Sequence, residues 1–204
     1  MARRVVLFAV VALLFTPAVA RANGDPASDY LLLRSIFLPF NAKVDKNATE
    51  RLSRTIRAAD KANFPIKVAV IGSRYDLGTA FSLYNKAQRY SEFLGLELSF
   101  QYRDRLLVVM PNGYGYSING KPNPAGISVV GKLPPPGKDA TKQVESATVA
   151  IRRLAVASGV VLPKDDGGGS ETRDRLVIAA GAVALVALLA AIVLYRRDRA
   201  RPPE

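Results

Sequence analysis

Two uncharged apolar stretches, residues 5–15 and 176–195, bracket this chain and restrict what the segment between them can become. The first follows Arg3 and Arg4 and runs into Pro17 and small residues up to Ala20 and Ala22, the three-part pattern of an export signal. Residues 1–22 are therefore expected to form a signal peptide that is removed. The second stretch is twenty residues long, and at a helical rise of about 1.5 Å per residue such a length spans about 30 Å, the thickness of a bilayer core. This predicts a transmembrane helix over residues 176–195. Arg196, Arg197, Arg199 and Arg201 follow it, and such positive flanks stay on the cytoplasmic side. Residues 196–204 are thus expected as a basic cytoplasmic tail. Gly181 and the alanines of the second stretch suit either close helix pairing or a plain anchor.

The arrangement expected is a single-pass type I protein of the cell membrane, bacterial in character, with residues 23–163 folded outside the cytoplasm. Residues 164–175, with Asp165, Asp166 and a glycine-rich run to Ser170, have little apolar surface to bury and read as a flexible linker. Seven of the 29 basic and two of the 17 acidic residues belong to the two ends, leaving 22 and 15 between them, a net +7. That excess contains no long basic run, so it reads as a scattered basic surface or as a preference for anionic lipid or wall polymers. An exported domain is not expected to meet nucleic acid. The chain has no cysteine and no histidine. Disulfides and the usual serine–histidine, cysteine–histidine and zinc chemistries are excluded together, and any metal site must be built from oxygen ligands.

Hydropathy along the middle of the chain reads as an α/β fold, a small α/β/α sandwich followed by the one C-terminal transmembrane helix. Residues 30–40 are an apolar lead-in that ends near Pro39 and packs on the core. Ala48, Leu52, Ile56, Ala59 and Asn63 recur at helical spacing, with Asn47 as N-cap and Glu50 three residues on. Residues 66–71 are rich in β-branched side chains and stop at Gly72, as a strand does. Leu83, Ala87, Tyr90, Leu94 and Leu98 form a second helical stripe that tolerates Gly95. Residues 106–110 are continuously apolar, which predicts a central strand covered on both faces. Residues 112–116 are expected to turn, residues 127–130 to form an edge strand, and Asp139 to open a third helix with Val144, Ala147, Ile151, Leu154 and Ala155 inward.

Three features carry candidate chemistry. Asp76 and Asp104 lie in loops next to strands, where two carboxylates could supply oxygens to a divalent cation such as calcium or magnesium. Helix capping by Asp76 and an ion pair of Asp104 with Arg103 or Arg105 are the structural alternative. The run Gly113, Tyr114, Gly115 and Tyr116 follows a strand, where backbone amides could hold an anion in a ligand loop. Turn-forming glycines with exposed tyrosines are the alternative there.

The 66–71 strand, Asp76-Leu77-Gly78, the helix centred on Tyr90, the 106–109 strand and Gly113-Tyr114-Gly115 resemble, in order and spacing, the TPM-domain family of thylakoid-lumen-phosphatase-like domains. The resemblance covers roughly residues 30–158. It implies an exported α/β/α sandwich tethered to a membrane, with either phosphatase activity or a part in the repair or assembly of membrane complexes. The family commonly has an acidic residue followed by glycine before the central strand; this chain has Asp104 between Arg103 and Arg105. Those arginines neutralise the carboxylate. The function expected is therefore a binding or complex-maintenance module for a membrane or envelope protein rather than an enzyme. The alternatives are a metal-dependent phosphatase using Asp76 and Asp104, or a binder of anionic lipid or wall polymer.

Overall fold

The computed structural model describes residues 24–163. The expected signal peptide, linker, transmembrane helix and tail lie outside the described residues. Among the described residues no helix is long and apolar enough to cross a membrane.

A five-stranded sheet organises the described domain, with strands in sequence order: β1 (Ile36–Phe37), β2 (Ile66–Val70), β3 (Arg105–Met110), β4 (Gly113–Ile118) and β5 (Lys121–Pro122). The first three are parallel and the last two antiparallel. Side chains alternate across a strand, and here both faces are apolar. Val68, Val70, Leu107 and Val109 meet α2 (Lys46–Lys61) and α5 (Ala140–Ala157) on one face. Ala69, Ile71, Leu106, Val108 and Met110 meet α1 (Pro26–Leu33) and α3 (Ala87–Leu98) on the other. The continuous apolar run of β3 is thus that of the middle strand of five, as its sequence predicts. Burying each of its leucines or valines contributes about 1.5–3 kcal/mol.

The helices follow their stripes, and their ends follow side-chain chemistry. Ala48, Leu52, Ile56 and Ala59 are buried along α2. Its N-cap is Asp45, not Asn47: the Asp45 carboxylate accepts the Ala48 N–H at 2.9 Å. Asn63, expected on the buried stripe, instead lies past the helix end with φ +57°, while the Phe64 N–H returns to the Ala59 carbonyl at 2.8 Å. Asparagine tolerates that left-handed position and so closes the helix. In α5, Val144, Ala147, Ile151, Leu154 and Ala155 are buried behind an Asp139 N-cap. The stretch from Arg74 to Leu83 is a kinked 3-10 segment, so the second long helix starts at Ala87 rather than Leu83.

Two expectations are overturned. Residues 127–130 are not an edge strand; they belong to the helix α4 (Pro124–Gly131). Asn123 accepts the Gly126 N–H at 2.8 Å and Pro124 occupies the first turn, a start signal that outweighs the β-branched residues after it. Residues 113–116 do not turn but form most of β4. Gly115 is required there by proximity: a Cβ on it would lie 2.0 Å from the Ala87 carbonyl oxygen, where α3 crosses the strand. Gly95 plays the reciprocal part inside α3, where a Cβ would lie 2.7 Å from the Gly120 Cα.

Because the atom opposing Gly115 is backbone, Gly115→Ala can be accommodated only by lifting α3 off the sheet. It is expected to destabilise the domain by about 3 kcal/mol or more, read as a lower urea midpoint, whereas Gly131→Ala, with no atom within 4 Å of the added carbon, should leave the midpoint almost unchanged.

Candidate functional site

Asp76 stands just beyond the C-terminal end of β2, in the first turn of the 3-10 segment, and is fully buried. A buried carboxylate needs donors on each oxygen to offset lost hydration, and Asp76 has them. Its Oδ2 accepts the Gly72 and Ser73 N–H groups at 3.0 and 2.8 Å and the Ser73 hydroxyl at 3.2 Å. Its Oδ1 accepts the Phe40 N–H at 3.1 Å. The carboxylate therefore caps a helical turn and fastens the chain that follows β1 to the end of β2.

Asp104 stands before β3, half exposed, with Oδ1 3.4 Å from Arg105 Nη1. The Arg105 guanidinium in turn lies 4.2 Å over the Phe64 ring. Since β2 and β3 are parallel and Ile66 pairs with Arg105 while Val70 pairs with Val109, Asp104 and Asp76 occupy opposite ends of the sheet. A strand of this length separates them by roughly 16 Å. They do not converge on a common ion, and each takes its structural alternative. Among the described residues no three of the acidic, histidine or cysteine side chains form a group fit for a metal.

The expected ligand loop at Gly113, Tyr114, Gly115 and Tyr116 is strand, and its backbone is engaged. These residues pair with β3 on one side. On the other, the Gln88 side chain completes the ladder: its Oε1 accepts the Tyr116 N–H at 2.9 Å and its Nε2 donates to the Tyr116 carbonyl at 3.0 Å. Tyr116 is buried among the residues beneath α2 and α5, and the Tyr114 hydroxyl donates to the Pro134 carbonyl at 3.1 Å. The outward N–H and C=O of Tyr116 are thus taken by Gln88, and this stretch is strand rather than an open loop.

A different feature has the form of a binding site. An open groove of about 530 Å³ runs beside β1, between the C-terminal end of α1 and one side of α2. Ile36, Phe37 and Leu38 form its floor, Thr49, Ser53 and Ile56 the α2 wall, and Tyr30 and Phe40 the opposite side. Phe37 is buried, with edge-to-face contacts to Tyr30 at 5.9 Å and Phe40 at 5.2 Å between ring centres. Phe40 nevertheless remains 61% exposed. Arg34 and Arg57, both exposed, complete a lining that contains no acidic residue. The sequence signal for this site is the aromatic-rich 30–40 stretch, which has no helical or strand period and reads simply as core.

A buried acid lies on the other face of the sheet. Asp25 caps α1 by accepting the Ala27 N–H at 3.1 Å, and both of its oxygens lie 2.7 Å from the Tyr90 hydroxyl. It is only 3% exposed, and burial raises its pKa to about 6, with Glu97 and Asp29 adding to the effect against the two hydrogen bonds. Burial also raises the Tyr90 pKa, so the phenol keeps its proton. On the same face, Lys67 Nζ donates to the Leu31 carbonyl at the end of α1 and lies 4.8 Å over the Tyr102 ring.

Two measurements follow from these geometries. Asp76→Ala strands three part-buried amides and should cost about 3 kcal/mol, seen as a large drop in the urea midpoint, while Asp104→Ala should change stability by about 1 kcal/mol or less. For Asp25, the folded pKa lies above the ordinary carboxylate value, so the folded state binds the proton more tightly and stability falls as pH rises from about 4 to about 6. The loss is expected to reach roughly 2–3 kcal/mol. Asp25→Asn, which keeps the acceptor but not the charge, should flatten the melting-temperature profile across that window. No family model, curated protein or solved structure matches this chain.

Proposed function

We propose that this chain is a membrane-anchored binding or complex-maintenance module, which holds a TPM-like α/β/α domain outside the cytoplasm against a membrane or envelope protein. The observation that carries the binding role is the groove beside β1, with its apolar floor, exposed Phe40 and two arginines. Aromatic and arginine side chains around an apolar centre are the usual make-up of a protein-binding surface. The two carboxylates that a phosphatase would draw together are instead held apart, one by amides and the other by Arg105. The location rests on sequence: an uncharged stretch long enough to span a bilayer, with arginines following it.

Anchoring is tested with a tag placed after Glu204. The chain should stay with membranes through an alkaline carbonate wash, and protease added outside intact cells should digest the domain but spare the tag. Release by the wash, or loss of the tag, overturns the proposed topology. Purified chain should not hydrolyse para-nitrophenyl phosphate with added Mg2+ or Ca2+; turnover that disappears in Asp104→Ala would replace the binding role with a phosphatase.

A further inference from the structure

We propose that the groove takes an extended acidic segment of a partner protein, which adds as a new strand to the open edge of β1. This rests on the binding role given above and specifies its partner. The backbone provides the first argument. The Val68 N–H donates to the Ser35 carbonyl at 2.9 Å, and Ile36 stands opposite Val68 in the parallel register. In such a ladder the residues on either side of Ile36 turn their amide groups toward β2, and Ile36 turns its own N–H and C=O outward. Neither group has a hydrogen-bond partner among the described residues. An unpaired edge of this kind is a template for another extended chain.

The surroundings suit such a strand. The α2 side of the groove offers Ser53 and Ile56, and the other side Tyr30 and Phe40. Side chains of an added strand point alternately to two faces, so every second one would meet apolar surface on each side. Charge then selects the occupant. Arg34 and Arg57 are exposed, neither has an ion-pair partner among the described residues, and no acidic side chain lines the groove to compete for them. Carboxylates of an acidic strand would pair with both guanidiniums. A second copy of this chain is disfavoured by the same feature, because pairing two β1 edges would bring two sets of these arginines together.

The test is fluorescence anisotropy on the full-length chain with a capped peptide of about eight residues in which pairs of valines alternate with pairs of glutamates, so that each face of the strand carries both. It should bind, and a valine–lysine counterpart should bind about tenfold more weakly or worse, as expected for the loss of charge-assisted hydrogen bonds. Methylating the peptide nitrogens on the edge that meets β1 should abolish binding, while methylating the other edge should not. Arg34→Glu with Arg57→Glu, both on exposed positions, should reverse the preference between the two peptides. Ile36→Pro, which removes the outward N–H together with the Ile36 side chain, should weaken both far more than Ile36→Ala, which removes the side chain and keeps the N–H. Binding that ignores charge and methylation but is lost in Phe40→Ala would overturn strand addition while leaving the groove a binding site. Failure of every peptide would overturn both. A dimer in sedimentation that Ile36→Pro dissociates would assign the edge to a second copy and overturn the proposal.

Discussion

The buried Asp76 carboxylate is the junction on which the rest of the domain depends. It gathers amides from two chain segments that are far apart in sequence, Phe40 after β1 and Gly72-Ser73 after β2. With those amides held, the chain after β1 turns back along the sheet instead of continuing outward, and the 3-10 segment starts in a fixed direction toward α3. A neutral side chain could accept some of these bonds, but only a carboxylate has lone pairs enough for three N–H groups and a hydroxyl together. The negative charge is balanced by oriented backbone dipoles rather than by a cation, which is why a residue that looks like a ligand in sequence is a structural element in space.

What the sequence discloses and what it withholds divide along the distance over which each determinant acts. The stripes of α2 and α5 and the unbroken run of β3 are written in neighbouring residues, and they were legible. So was the choice available to Asp104 and Arg105, which are adjacent. The Gly113–Tyr116 stretch was not, because alternating glycine and tyrosine ordinarily mark turns; here Gly115 is small because α3, which comes earlier in the chain, passes over it. Likewise α4 hides behind β-branched residues whose helical fate is decided by Asn123 and Pro124. The groove was the least legible feature, since its floor and its α2 wall come from separate elements and neither carries a motif alone.

The two edges of the sheet are treated differently, and the difference is chemical. On the β4 side, Gln88 reaches from α3 to occupy both backbone groups of Tyr116, and the short β5 ends in Pro122, which has no N–H to offer. A side-chain amide presents an N–H and a C=O in nearly the spacing of a peptide group, so Gln88 stands in for a missing strand at Tyr116 while Nε2 also donates to Glu92. On the β1 side no side chain among the described residues performs that service for Ile36.

The two edges of this sheet differ in how their backbone is satisfied at Ile36 and at Tyr116. A segment added at β1 would end up as the outermost strand, and Tyr116 on the other side would remain engaged by Gln88. Main-chain pairing at Tyr116 is therefore satisfied from within the domain and needs no second chain. Edge recognition ordinarily carries the hazard of polymerisation, and a glutamine placed by the first turn of α3 withdraws one backbone site of the far edge from that competition.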